Sequence, residues 1–183
     1  MQEIEGVARS LMRDGEGSLL ELVKRSGLRV EYASNLPGDG ALCRVHDEWR
    51  IYVKRGLPAA RRLFAIAHEF AEWALRSEHL DDPEACANYL AACLITPREQ
   101  FSRAIAAGLS LAELAEEFTT TETHAALRTA EVRGIARVVV SPALVRVRGP
   151  ESWVWPEEWT LRKMAKTGAI LDGNPRRRMF DVA

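Results

Sequence analysis

Three residues with acid–base and metal-binding side chains lie in the most apolar part of the chain, in the order His68-Glu69-Phe70-Ala71-Glu72. Residues four apart on a helix share one face, so His68 and Glu72 can direct their side chains at one point. An imidazole nitrogen and a carboxylate oxygen are both ordinary ligands of Zn²⁺. Glu69 is adjacent and could exchange a proton with a metal-activated water. The spacing therefore predicts a hydrolytic metal site, with His68 and Glu72 as ligands and Glu69 as the general base.

The same five residues also have a simpler interpretation, a half-exposed histidine with two solvated glutamates. The neighbouring positions argue against it because they leave little polar surface: Phe64, Ile66, Ala67, Phe70, Ala71, Trp73 and Leu75. Charged groups on so apolar a helix tend to be paired or metal-bound. The surroundings therefore favour the metal site.

A third ligand is expected from the next helix. Glu84 lies near its start, and residues 76–83 let that helix fold back against the first. His79 is the alternative, but on a continuous helix it would lie about 16 Å beyond His68. Glu84 is the stronger candidate.

The remaining pattern predicts an α+β fold, because helices, a small sheet, more helices and a hairpin follow one another without βαβ alternation. We expect a small N-terminal sheet packed on a metal-binding helix pair, then a helical segment, then a C-terminal β-hairpin plus helix. The predicted helices cover 2–25 (interrupted at Gly15 and Gly17), 58–77, 83–95, 98–107, 110–117, 121–132 and 156–167. The predicted strands cover 28–32, 41–45, 49–54, 137–140 and 144–147.

Composition narrows the function classes. The chain has 183 residues with 25 Lys and Arg against 26 Asp and Glu, and a formal net charge of -1. A general polyanion binder should carry a basic excess, so direct binding of nucleic acid is not expected. Three cysteines cannot close a disulfide framework, and the first residues have no apolar signal core. Because no uninterrupted apolar stretch reaches membrane-helix length, we expect a cytoplasmic protein without a membrane partner.

Residues 111–128 resemble a helix-turn-helix, and together with the basic tail they are the features that would suggest a DNA-binding regulator. The would-be recognition helix at 121–132 sets Arg128 against Glu122 and Glu131. Phosphate and base contacts need more Arg, Lys or amide side chains than this. Packing against the rest of the protein is the favoured interpretation, and Arg176–Arg178 is interpreted as a solvated basic tail.

Two motifs in order make residues 28–100 resemble the ImmA/IrrE family of metallo-endopeptidases. The first family motif, R-F-T-L-A-H-E-L-G-H, is matched at Phe64, Ala67, His68 and Glu69. The second, E-x-x-A-N-x-F-A-x-x-L-L-M-P, is matched at Glu84, Ala87, Asn88, Ala91, Leu94 and Pro97.

The resemblance implies a zincin-like peptidase domain with His68 and Glu84 as zinc ligands and Glu69 as general base. It also implies cleavage of a protein substrate, a helix-turn-helix transcriptional repressor of phage or stress-response genes. Glu72 departs from the family, which has a second histidine ligand at that position. With two histidines and one glutamate a dication keeps one positive charge, whereas two glutamates and one histidine neutralise it. The neutralised ion makes a bound water less acidic. The larger number of oxygen ligands makes Mn²⁺ an alternative to Zn²⁺.

The alternative function is a catalytically impaired relative that binds a regulatory protein without cutting it. For the peptidase, substrate contacts are expected from the strand before the metal helix, because zincins hold an extended substrate chain along an edge strand. This assigns Ile51, Tyr52 and Val53 to substrate binding, together with Asn88. In this interpretation residues 1–108 form the zincin-like domain. Residues 109–183 form a helical segment with the hairpin and a Trp-rich tail, packed on the first part as one compact unit.

Overall fold

The computed structural model describes residues 2–13, 18–140, 145–148 and 178–182. Its helices are α1 Gln2–Arg13, α2 Leu19–Arg25, α3 Ala59–Leu75, α4 Pro83–Ile95, α5 Arg98–Ala106, α6 Leu111–Glu117 and α7 Glu122–Arg133. Its strands are β1 Arg29–Ala33, β2 Gly40–Val45, β3 Glu48–Lys54, β4 Ala136–Val140, β5 Val145–Arg148 and β6 Arg178–Val182. The α+β class predicted from the sequence is confirmed. None of the described helices combines the length and the apolar character that crossing a membrane requires.

The first sheet has the strand order β1-β3-β2, with β3 parallel to β1 and antiparallel to β2. The two-residue turn between β2 and β3 places His46 and Asp47 at φ 47° and 65°. Positive φ at both central residues is the signature of a type I′ turn, whose twist matches that of the flanking strands. His46 thus forms part of the turn that connects β2 to β3.

The prediction that residues 50–54 form an edge strand is wrong. They belong to β3, which lies between the other two strands. Alternating hydrophobicity indicates a strand with one buried face, but it carries no information on strand order. The main chain of β3 is paired on both sides, so an added substrate strand has no edge there.

The helix pair α3 and α4 packs beside this sheet. Asp82 accepts a hydrogen bond from Ala85 N at 3.0 Å and caps α4, Pro83 occupies its first turn, and the helix ends before Pro97. The core side chains include Ile51, Val53, Phe70 and Leu90, all fully buried. Both helices also bury alanines spaced four residues apart, namely Ala67 and Ala71 on α3 and Ala87 and Ala91 on α4.

The chain divides into two compact units, Met1–Phe101 with Glu116–Thr120, and Ser102–Ala115 with Thr121–Ala183. The predicted boundary at 108, and the packing of the second part on the first, remain predictions. In the second unit α7 is capped by Thr121 and ends at Gly134 with φ 66°. A sheet of order β5-β4-β6 follows.

The predicted hairpin is present as β4 and β5, paired in antiparallel register. Strand β6 was not predicted, and it begins at Arg178, which the sequence assigned to a solvated tail. The predicted helix at 156–167, Trp153, Trp155 and Trp159 lie outside the described residues.

Candidate metal centre

Helices α3 and α4 bring the three predicted ligands together. His68 Nε2 lies 3.5 Å from Glu72 Oε1 and 3.7 Å from Glu84 Oε2. One ligand atom from each residue falls within 4.8 Å of the others. A tetrahedral ion with bonds of about 2.1 Å separates its ligand atoms by about 3.4 Å. The distances therefore fit one divalent ion bound by a nitrogen and two carboxylate oxygens.

The His68 ring is held so that Nε2 is the nitrogen presented to this site. Its side chain is only 16% exposed, and the Phe64 ring lies 6.2 Å away between centroids. Nδ1 is buried with no hydrogen-bond partner among the described residues. Because Nδ1 is enclosed, Nε2 is the ring nitrogen that can bind a metal ion.

Glu84 is the exposed member of the cluster, with 67% of its side chain accessible. Asn88, one helical turn later, donates through Nδ2 to Glu84 Oε1 at 2.9 Å and to the Glu84 main-chain oxygen at 2.9 Å. One carboxylate oxygen is thus engaged by Asn88 while the other faces His68. The i, i+4 spacing of Glu84 and Asn88 was a signal in the sequence for this contact.

Glu69, the predicted base, is the buried member, with 7% relative exposure. Burial chiefly raises the pKa of this carboxyl, from 4.5 to about 7, and the negative charge and hydrogen bond of Glu72 add to the rise. His68 and the main-chain N–H of Leu42, which donates to the carboxylate, act in the opposite direction. A carboxyl that titrates near neutral pH is suited to taking up and releasing a proton.

Strand β2 covers Glu69. A Cβ added at Gly40 would lie 2.7 Å from Glu69 Oε1 and 2.9 Å from its Cγ, so a glycine allows this approach. Asp39, the residue before Gly40, is held by hydrogen bonds from two residues. Lys54 N donates to its main-chain oxygen at 2.8 Å, and Arg61 donates two hydrogen bonds of 2.8 Å to its carboxylate. No sequence pattern indicated this cover, because Gly40 and Glu69 are distant in the chain.

The three residues on β3 that were predicted to bind substrate are largely buried. Ile51 and Val53 are fully buried on β3, and Tyr52 between them is half-buried. His79, the alternative third ligand, is exposed and outside the cluster. The structure thus groups His68, Glu72 and Glu84, places Glu69 beside them, and gives Asn88 a contact with Glu84.

Comparison with known proteins agrees with this architecture. A solved structure of a Mycobacterium tuberculosis transcriptional regulator superposes with a TM-score of 0.58 at 19% identity, covering 84% of this chain and 58% of that chain. At this identity the likeness shows the fold alone, and the chain spans less than two thirds of that structure. No curated protein matches. The profile of the IrrE N-terminal-like domain, Peptidase_M78, matches residues 23–129, more than half of the chain. The motif resemblance is thereby confirmed, and the chain belongs to the IrrE N-terminal-like family of M78 peptidases.

Proposed function

We propose that the protein is a metal-dependent endopeptidase whose ion is held by His68, Glu72 and Glu84. The observation that carries the proposal is the convergence of His68 Nε2 with two glutamate oxygens at 3.5 and 3.7 Å, beside the buried carboxyl of Glu69. A bound Zn²⁺ or Mn²⁺ would supply a Lewis acid that polarises the peptide carbonyl. Glu69 accepts the proton of the attacking water and passes it to the leaving amine.

Strand β2 is the better candidate for holding the substrate chain. It pairs with β3 on one side, and the Leu42 N–H is aimed at Glu69. An extended peptide added to the other edge of β2 would run beside the base, the β-augmentation mode of peptide binding. The substrate we propose is a helix-turn-helix repressor, which fits the family assignment and the regulator name of the similar structure.

The binding-module alternative is favoured by one observation, Glu72 in place of a second histidine. Its carboxylate leaves a bound dication without net positive charge and so weakens its pull on electrons of water and carbonyl. A DNA-binding role has less support. Arg128, the arginine expected to contact DNA from α7, is 2% exposed and lies 3.1 Å from the Glu131 carboxylate.

The test combines metal content with cleavage. Protein purified without chelators should contain one Zn²⁺ or Mn²⁺ per chain by elemental analysis, and adding either ion to chelated protein should raise its melting temperature. The loaded protein should cut a proteome-derived peptide library, read by mass spectrometry. Glu69→Gln, which keeps the shape but cannot take up a proton, should retain the ion and lose roughly 10²–10⁴-fold in rate.

Two outcomes would contradict the proposal. Absence of stoichiometric metal with no thermal shift would remove the metal centre. Bound metal with no cleavage by the parent or by Glu72→His, which restores the positive centre, would favour the binding module.

A further inference from the structure

Gly40 is the residue at which strand β2 comes closest to the base. The three heavy atoms nearest to a Cβ built there all belong to Glu69: Oε1 at 2.7 Å, Cγ at 2.9 Å and Cδ at 3.1 Å. Real Cβ atoms do not approach heavy atoms below 3.0 Å. An alanine at this position therefore requires Glu69 to move.

The backbone itself does not demand glycine at this position. Gly40 is not among the residues with positive φ, so an L-residue can adopt its conformation. It lies in a regular antiparallel pair with Val53. Glycine in a strand interior is ordinarily unfavourable, and it often marks a close approach of another group. The closest contacts that a side chain at 40 would make are thus with Glu69.

Glu69 also interacts with the main chain of β2 on the same side. The Leu42 main-chain N–H, two residues along β2, donates to the carboxylate. The carboxylate is therefore pressed against β2 at Gly40 and hydrogen-bonded to β2 at Leu42. Displacing it by a methyl group at 40 would break this arrangement. The atoms nearest to that methyl group belong to Glu69 and not to a metal ligand, so Glu72 would be affected only through its hydrogen bond with Glu69.

We propose that Gly40 is a positioning residue for catalysis: the absence of a side chain there sets where the Glu69 carboxylate lies relative to the metal ligands. The inference rests on the proposed role of Glu69 as base. It assigns β2 two tasks, since the strand that offers an edge to the substrate also fixes the base. A side chain at 40 would misplace the proton acceptor while all three proposed metal ligands are retained. Small displacements in a catalytic site are costly in rate.

The activity-independent test is a double-mutant cycle on thermal stability. Gly40→Ala is compared in the parent and in Glu69→Ala, where the clashing atoms are gone. In Glu69→Ala the alanine should raise the melting temperature by a few degrees, because it restricts the unfolded chain. In the parent it should lower the melting temperature or leave it unchanged. Should Gly40→Ala fail to fold alone, the double variant must fold.

Gly38→Ala is the matched control in the same segment. A Cβ at Gly38 would meet only the Gly40 main-chain oxygen, at 3.5 Å, an ordinary contact. Its effect on melting temperature should be the same in both backgrounds. Equal effects of Gly40→Ala in the two backgrounds would overturn the proposed contact whether or not the protein cleaves peptides.

The catalytic arm uses the loaded protein. Gly40→Ala should keep Zn²⁺ affinity within about 3-fold and lower kcat by about 10²-fold, the lower end of general-base effects, with KM unchanged. Added to Glu69→Gln it should cause no further loss, because both changes disable the same group. Full activity in Gly40→Ala would overturn the positioning role. A parent that binds metal without cleaving would refute the proposed function, leaving the stability cycle to decide the contact.

Discussion

The site has two sides, and each contains a glutamate. On the covered side β2 lies over Glu69, whereas on the open side α4 carries Glu84. On the covered side Glu69 is buried, pressed against Gly40, and its pKa is raised to about 7. On the open side Glu84 is 67% exposed and is oriented by the Asn88 carboxamide. Burial changes how strongly a carboxyl holds its proton, whereas a hydrogen bond at the surface chiefly fixes where the carboxylate points. The first property suits the base proposed at Glu69, and the second suits the metal ligand proposed at Glu84.

The largest expected effect tests the covered side through the pH dependence of stability in chelated protein. The pKa of Glu69 is 4.5 unfolded and about 7 folded. Between these values the folded state binds more protons than the unfolded state, so this group's contribution is most favourable below pH 4.5. Its contribution falls as pH rises towards 7, by about 3 kcal/mol in all. Glu69→Gln should therefore be similar to the parent at pH 4.5 and more stable than it at pH 8.

The measurement is urea unfolding of parent and variant across this range. Glu116→Gln, at an exposed glutamate on α6, is the control for the removal of a carboxylate from the chain. A constant difference between Glu69→Gln and the parent would show that the covered side does not raise the proton affinity of its carboxyl.

The next effect tests the open side. Asn88→Ala removes the donor to Glu84 Oε1, so the carboxylate loses its orientation and Zn²⁺ affinity should fall 10–100-fold, as for other residues that orient a metal ligand. Asn88→Asp removes the same donor, but its carboxylate attracts the dication, so Zn²⁺ affinity should fall less than in Asn88→Ala. Isothermal titration measures both. Unchanged Zn²⁺ affinity with a raised KM would instead support the sequence-based prediction that Asn88 binds substrate.

The smallest effect concerns the attachment of β2 to α3. Arg61 and Asp39 form a paired hydrogen bond at the surface, with the arginine side chain 61% exposed. Exposed ion pairs contribute up to about 1 kcal/mol. Arg61→Ala should lower the free energy of unfolding by no more than this, measured against Arg62→Ala, the adjacent exposed arginine. A loss of several kcal/mol would mean that the cover over Glu69 depends on this pair.

The two sides also differed in how far the sequence could predict them. The open side depends on short spacings: Asp82 and Pro83 start α4, Pro97 follows its end, and Glu84 lies within its first turn. Such local signals predicted the bounds of α4 and the grouping of its glutamate with α3. The covered side depends on strand order and on a contact between Gly40 and Glu69, which lie far apart in the chain. Alternation cannot distinguish a central strand from an edge strand, so β3 was given the role of an edge.

In the second unit, β6 is another strand whose pairing depends on residues distant in the chain. The strand pairs with β4 through residues more than thirty positions away in the chain. Its neighbouring arginines favoured a solvated tail, although Met179, Phe180 and Val182 were apolar enough to indicate a strand. The arginines at the start of this segment therefore led to the prediction of a tail, although the residues after them favoured a strand.

The alanines of the α3–α4 pair bear on the entropy of metal binding. Small buried side chains on both helices allow their axes to approach closely, and the interaxial distance depends on the side chains at the contact. The separation of His68 from Glu84 is then determined by the folding of the hydrophobic core. Immobilising a glutamate side chain costs about 1.5–2 kcal/mol of rotamer entropy. For Glu84 the hydrogen bond from Asn88 to Oε1 already restricts those rotamers. An ion bound at the proposed site would therefore find its ligand atoms already close together, and little of its binding free energy would be spent on ordering the chain.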